Sequence, residues 1–202
     1  MIAVVDYGIG NLRSVEKALQ QVGAQTVIAG DGQTILDAEG LVLPGVGAFG
    51  DGMKELRCHG LDRLIRMAVM QGKPLLGICL GMQLLFESSE ELGFCEGLAL
   101  LAGRVVRFPD TGLKIPQTGW NRIWFVQQHP LLDGLPEGCY VYFNHSYCCQ
   151  PASQEVVLAQ AEYGIRYPAV VGYGRVFGVQ FHPEKSQEIG LRILRNFVEM
   201  TT

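Results

Sequence analysis

Residues 72–88 read GKPLLGICLGMQLLFES. An apolar run over residues 74–78 stops at a cysteine held between two glycines, and a helical pattern starts at once. A strand that turns this sharply into a helix forces its central residue into a strained backbone conformation. Side chains two positions away on either side would then collide. Gly77-Ile78-Cys79-Leu80-Gly81 therefore reads as a nucleophile elbow with sulfur in place of oxygen. In an open α/β sheet such an elbow puts the thiol at the C-terminal edge of the strands, where ligands bind. The dipole of the following helix, expected over residues 82–91, favours thiolate over thiol. A free thiol ionises near a pKa of about 8.5, so a drop of about one or two units populates the anion well at neutral pH. The same element, taken alone, also suits a small buried residue in a Gly-rich turn. It needs a base.

Strand and helix patterns alternate on the N-terminal side of the elbow. Residues 2–5 and 40–43 are short apolar strands, as are residues 27–29, and Leu12, Val15, Leu19 and Val22 mark a helix that Gly23 stops. Residues 52–72 predict one helix with Met53, Leu56, Leu64, Ile65 and Ala68 on its buried face. This alternation specifies an α/β fold with an open, mostly parallel sheet and flanking helices. The second half differs. Residues 104–108, 122–126, 140–144, 156–160, 169–173 and 176–181 predict closely spaced strands between Pro and Gly punctuation, hence antiparallel hairpins added to the parallel core. A last helix over residues 187–200 carries Ile189, Ile193, Leu194, Phe197 and Val198. No repeat or linker interrupts the chain, so residues 1–202 are expected to form one domain.

Composition narrows the function classes. The 202 residues are 48% hydrophobic and 18% charged with a net charge of −4, an ordinary globular balance without a basic footprint for nucleic acid. No apolar stretch approaches the roughly 20 residues that span a bilayer, and MIAVVDYG has no basic n-region, so a cytoplasmic protein is expected. Six cysteines form no C-x-x-C pair, and the adjacent Cys148 and Cys149 are poor zinc ligands. No metal site is expected. Gly8-Ile9-Gly10 lacks the third glycine of a dinucleotide fingerprint, so no nicotinamide cofactor is expected either.

Four histidines are candidate bases: His59, His129, His145 and His182. His59 reads as a surface residue and His129 as part of a polar loop. His145, ending the run YVYFNH, either lines a pocket or is a satisfied strand-end residue. His182 stands out. It follows the strand-like run VFGVQF and begins His-Pro-Glu-Lys-Ser, with the proline restricting it to extended geometry. If Glu184 is extended too, both side chains leave the backbone on one side, so the carboxylate orients the imidazole while its other nitrogen faces the sulfur. Cys79, His182 and Glu184 then supply nucleophile, base and orienter. Acyl transfer also needs donors for an oxyanion. The loop Leu43-Pro44-Gly45-Val46-Gly47 ends a buried strand and reads either as an ordinary β-to-α turn or as a loop whose glycines bring backbone amides close to substrate, with the Leu80 amide, just after the nucleophile, as the second donor.

The segments GICLGMQLLFE, LPGVGAFG and FGVQFHPEKS together resemble the class I (triad) glutamine amidotransferases, whose fold is flavodoxin-like. DYGIGNLRSV, Gly119-Trp120-Asn121 and YFNHSY narrow the resemblance to the glutaminase subunits of imidazole glycerol phosphate synthase, and it runs from Ala3 to Met200. The resemblance implies that Cys79 attacks the side-chain amide of glutamine to give a γ-glutamyl thioester, with His182 moving the proton and Glu184 holding His182. It implies oxyanion donors at Val46 and Leu80, and glutamine contacts at Gly47, Gln83, Glu91, His145 and Ser146. It also implies a TIM-barrel cyclase partner that receives the ammonia and makes imidazole glycerol phosphate and AICAR. Asn11, Trp120, Asn121, Tyr142 and Lys185 match interface positions, and a Val46-side peptide flip gates the oxyanion hole. Many relatives read PHMGWN where this chain has PQTGWN, and Val where Asn144 stands. Lys185 reads equally as a solvated charge. A paralogous glutaminase serving a different synthase would share the same triad. A partner-binding module without turnover has no use for an intact triad, and a cysteine hydrolase of the stress-protein type has none for Gln83 and Glu91.

Overall fold

The computed structural model describes residues 1–201. The first half runs β1 (Ile2–Val5), α1 (Leu12–Gln21), β2 (Thr26–Ala29), α2 (Gly32–Asp37), β3 (Gly40–Leu43), α3 (Phe49–Cys58), α4 (Leu61–Met70), β4 (Leu75–Ile78) and α5 (Leu80–Leu84). After it come β5 (Phe86–Ser89), β6 (Cys95–Glu96), β7 (Leu101–Arg107), β8 (Gln117–Arg122) and β9 (Trp124–Phe125). The chain ends with β10 (Tyr140–His145), β11 (Tyr147–Pro151), β12 (Val157–Tyr163), β13 (Ile165–Tyr173), β14 (Val176–Val179) and α6 (Gln187–Glu199).

The main sheet has the order β2-β1-β3-β4-β14-β13-β12-β9. Its first five strands run parallel, and β14 is the pivot: parallel to β4, antiparallel to β13. Strands buried on both faces must be apolar at every position, and β1, β3, β4 and β14 are fully buried throughout. Successive side chains alternate between two cores. Ile2, Val4, Val42, Leu76 and Val179 face Val15, Leu19, Ile193 and Phe197 of α1 and α6. Ala3, Val5, Leu41, Leu43 and Leu75 face Met53, Leu56, Leu61 and Ile65 of α3 and α4. Two smaller ladders, β10-β8 and β11-β7-β5-β6, flank the C-terminal edge.

Several expectations need correction. The helix expected over residues 52–72 is two helices, because Gly60 takes φ 68° and turns the chain between α3 and α4. The helix expected over residues 82–91 stops at Leu84, and Phe86–Ser89 instead pairs with β6 and β7. The strand expected over residues 122–126 is a switch point. Residues 117–122 pair with β10, residues 124–125 with β12, and the buried Ile123 lies between. α2 has no strong apolar period to announce it, although the Asp31 carboxylate accepts from the Thr34 amide at 2.9 Å as an N-cap does. Among the described residues no helix is long and apolar enough to cross a membrane.

The elbow glycines are sterically required. A Cβ at Gly77 would sit 2.6 Å from the Gly81 carbonyl oxygen, and one at Gly81 would run into the Leu43 carbonyl oxygen. Gly50 in α3 has open space around it. Gly81→Ala is therefore expected to cost about 3 kcal/mol or more, and Gly50→Ala to stabilise by about 0.5–1 kcal/mol; urea unfolding of both variants checks the contrast.

Candidate active site

Three adjacent strand ends build the site. β4 leads to Cys79, β3 to the loop from Pro44 to Gly47, and β14 through Gln180 and Phe181 to His182. Leu43 lies in register with Gly77, and Val179 with Ile78. The Cys79 amide donates to the Val179 carbonyl at 2.8 Å. Cys79 itself has φ 55° and ψ −109°, a conformation that costs a non-glycine residue about 1–3 kcal/mol. The residue is buried and lines the cleft. The helix expected to bias the thiol is only five residues long, so its dipole acts over little more than one turn. The imidazole must do most of that work.

His182 is extended, with φ −98° and ψ 98°, as Pro183 demands. Glu184 is not. Pro183–Lys185 forms a 3-10 turn closed by Lys185 N–H donating to the His182 carbonyl at 3.0 Å, and this turn folds the carboxylate back. Glu184 Oε1 accepts from His182 Nδ1 at 3.0 Å, which leaves Nε2 for the sulfur. Burial opposes a charge on His182 more strongly than any single influence favours it. Hydrogen bonds to Cys79 and Glu184 and the attraction of both groups together outweigh burial and raise its pKa to about 9. Cys79 and Glu184 thus lie within hydrogen-bonding reach of the two sides of one imidazole. The Asn11 side chain donates to Glu184 Oε1 at 3.5 Å, and Glu184 Oε2 is buried without a partner.

A cleft of about 250 Å³ opens over the sulfur, small enough for an amino acid. Cys79, His182, Val46, Gly47, Leu80, Gln83, Glu91, His145 and Ser146 all line it. Glu184 stands behind His182, out of the cleft. Leu80 opens α5, so its amide has no intrahelical partner. Val46 is 43% exposed and Gly47 has φ 95° with nothing near its missing side chain, so this half of the loop is free to rotate a peptide. Glu91 lies in a turn after β5 rather than on the helix of the elbow, and its Oε2 accepts from the Phe49 amide at 2.8 Å. His145 ends β10 with Nδ1 donating to the Tyr147 carbonyl at 2.7 Å. Burial pushes its pKa down to about 4, with the Tyr147 bond opposing and His182 adding to the fall, so the ring is neutral. Its Nε2 is buried and unpartnered.

Of the residues matched to an interface, Trp120, Tyr142 and Lys185 form one ridge. The Trp120 and Tyr142 rings meet edge to face at 6.1 Å, and Lys185 Nζ lies 5.7 Å from the Tyr142 ring centre. The Tyr142 ring is 6.5 Å from that of His182, so the ridge ends at the triad. Asn11 touches the triad, and Asn121 is engaged internally, its amide donating to the Glu162 carbonyl at 2.8 Å. Two of the departures from the family pattern are partners of each other: Thr118 Oγ1 and Asn144 Oδ1 lie 3.1 Å apart across the β8–β10 ladder. The third, Gln117, is buried and accepts from the Tyr167 hydroxyl at 2.8 Å.

The family model described as glutamine amidotransferase class-I matches residues 3–200. The chain belongs to that family. Among relatives of this amidotransferase, the imidazole glycerol phosphate synthase subunit HisH of Geobacillus thermodenitrificans (strain NG80-2) is 55% identical over 100% of this chain and 97% of its own length. The protein of the same name from Methanosarcina mazei is 53% identical, covering 98% of each chain. A solved structure titled glutamine amidotransferase superposes over 100% of this chain and 99% of its own with a TM-score of 0.78 at 22% identity. That of PurLQS from Thermotoga maritima superposes over 100% and 98% with a TM-score of 0.76 at 21% identity, likewise a likeness of fold.

Two polar residues of this amidotransferase have no role in the expected site. The Tyr7 hydroxyl donates to the Pro44 carbonyl at 2.7 Å, and a Cβ at Gly45 would lie 2.5 Å from that hydroxyl and 2.9 Å from Leu80 Cβ. Tyr7 therefore clamps the Pro44–Gly45 half of the loop after β3. Gln180, fully buried, reaches both Gln83 and Cys79. The signal for it was available: a polar residue inside the apolar run VFGVQF, two positions before His182.

The His182 charge has a measurable pH signature. Because its pKa in the folded protein lies above the ordinary 6.5 of a free imidazole, the charge contributes stability below about pH 6.5 that fades as pH rises through about 9. Ring resonances followed by NMR are expected to titrate near 9 in the wild type, and at least about one pH unit lower in Cys79→Ala and in Glu184→Gln.

Proposed function

We propose that this chain is the glutaminase subunit of an imidazole glycerol phosphate synthase, hydrolysing glutamine to glutamate and ammonia through Cys79, His182 and Glu184. The observation that carries the reading is that Cys79 and a Glu184-bound His182 line one amino-acid-sized cleft, in a chain 50–55% identical to HisH subunits over essentially its full length. Cys79 Sγ attacks the carboxamide carbon of glutamine, and charge builds on the carbonyl oxygen between the amides of Leu80 and Val46. His182 then gives its proton to the nitrogen, the C–N bond breaks, and ammonia leaves with a γ-glutamyl thioester behind. Water attacks the thioester from the vacated side, loses its proton to His182, and glutamate departs as the sulfur is released. Glu184 keeps the ring in one tautomer throughout. Gln83, Glu91, Gly47 and the His145–Ser146 backbone hold the rest of the substrate, with the Glu91 carboxylate suited to the α-ammonium group.

The ammonia is passed to a TIM-barrel cyclase subunit docked over the ridge of Trp120, Tyr142 and Lys185, with Asn11 and Asn121 at its margin. A sealed route suits the chemistry, since free ammonia at neutral pH is largely protonated and no longer nucleophilic. The Val46–Gly47 half of the oxyanion loop is the part that moves when the partner is loaded. The Tyr7-bound Pro44 and the Glu91-bound Phe49 are the fixed points on either side of it.

Glutamate release from glutamine, measured with and without the cyclase and its nucleotide ligand, tests the proposal. Low basal turnover is expected, rising by about 10² or more with the loaded partner, as removal of one oxyanion donor costs about 10²–10³ in turnover. Cys79→Ala is expected to show none in either condition. Full turnover without the partner would refute the gating, and an active Cys79→Ala would refute the nucleophile.

A further inference from the structure

Gln180 is a fully buried carboxamide at the end of an apolar strand. Its backbone amide donates to the Ala169 carbonyl at 2.9 Å, which keeps the chain extended toward His182. Its side chain lies in a chain of hydrogen bonds whose direction can be worked out from one end. Gln83 Nε2 lies 3.1 Å from the Tyr147 carbonyl, and a carbonyl only accepts, so the NH₂ of Gln83 must face it. The same nitrogen lies 3.1 Å from the Gln180 side chain, so the atom that Gln180 presents there must be its oxygen. The NH₂ of Gln180 is thereby turned to the other side, where it meets Cys79 Sγ at 3.9 Å, a contact of the length sulfur accepts. Tyr147 is itself held by His145 Nδ1 at 2.7 Å, so the whole relay is anchored.

We infer that Gln180 is a positioning residue for the nucleophile: its carboxamide, oriented by Gln83 and the Tyr147 carbonyl, donates an N–H to the Cys79 sulfur and holds it as an anion. This rests on the reading of Cys79 as the glutaminase nucleophile. A donor gains far more from a thiolate than from a thiol, so the arrangement favours the ionised sulfur. The sulfur lies at the same 3.9 Å from the Asn144 carbonyl, which accepts from the thiol, so the Gln180 N–H and the Asn144 carbonyl favour opposite forms of the sulfur. The other ionisable groups near the sulfur are Tyr7 and Cys149, both coupled to it electrostatically, with His145, Glu91 and Lys185 around the cleft. None of these hands an N–H to the sulfur from the side of Gln83.

The test is the pH dependence of iodoacetamide alkylation at Cys79, followed by peptide mass spectrometry with the exposed Cys58 as internal reference, for wild type, Gln180→Met and Gln180→Glu. Gln180→Met removes the donor at similar volume; Gln180→Glu keeps an oxygen for Gln83 and the original shape, and carries the test if the first variant fails to fold. The alkylation midpoint is expected to rise by about one pH unit in Gln180→Met and further in Gln180→Glu, with Cys58 unmoved. Glutamine turnover with the cyclase present is expected to fall about tenfold, with KM changed less than about twofold. A wild-type midpoint in the folded variants overturns the inference, as does a loss confined to KM, which would make Gln180 only a support for the substrate pocket. Failure of the underlying reading looks different: wild-type Cys79 would then alkylate no faster than Cys58, and Cys79→Ala would still hydrolyse glutamine.

Discussion

One hydrogen bond fixes the chemistry of this protein: the Cys79 amide donating to the Val179 carbonyl at 2.8 Å. It locks the register of β14 against β4, and with it the position of everything three residues further on. Because side chains alternate along a strand, a slip of one residue would send His182 to the opposite face. The register is specified by the two cores, since Val179 and Ile78 pack on the α1/α6 side and Leu75 on the other. Burial of those side chains, each contributing about 1.5–3 kcal/mol, therefore sets the distance between a nucleophile near the middle of the chain and a base near its end.

The strain at the elbow has a matching explanation. Cys79 occupies a backbone region that L-residues avoid, and it stays there because the Gly81 carbonyl packs directly against Gly77 and the Leu43 carbonyl directly against Gly81, where no Cβ would fit. The same close approach clamps Pro44 and Gly45 beneath Tyr7 and Leu80, while Val46 and Gly47 are left open. Rigidity at the sulfur and openness at Val46 and Gly47 thus come from one packing arrangement. Glu91, which lines the cleft, also holds the Phe49 amide at the far end of the loop.

The sequence revealed the parallel half of the fold because its signals are local: apolar runs of four residues, each followed by a helical period and a glycine. The triad was legible only in combination: Gly77 and Gly81 around Cys79 also suit an ordinary turn, and His-Pro-Glu gains meaning only beside such an elbow. What was not legible was set by tertiary partners. Phe86–Ser89 is amphipathic enough to continue a helix, but β6 and β7 offer a ladder and win. Glu184 reaches His182 through a 3-10 turn rather than an extended strand, a distinction that the His-x-Glu spacing does not carry. The pairing of Thr118 with Asn144 is a cross-strand fact, invisible until β8 and β10 are set in register. That polar pair sits at the edge of the same cleft, which Asn144 lines.

The central claim is that the sulfur of Cys79 is a nucleophile because the imidazole of His182 is beside it. Incubation with a glutamine analogue carrying a chloromethyl ketone in place of its carboxamide tests this directly, with the site of labelling and its rate read by peptide mass spectrometry. The label is expected on Cys79 in the wild type, with the rate lowered by about 10²-fold or more in His182→Asn while the analogue still binds. Labelling at any other residue, or at Cys79 with a rate that does not depend on His182, would contradict it.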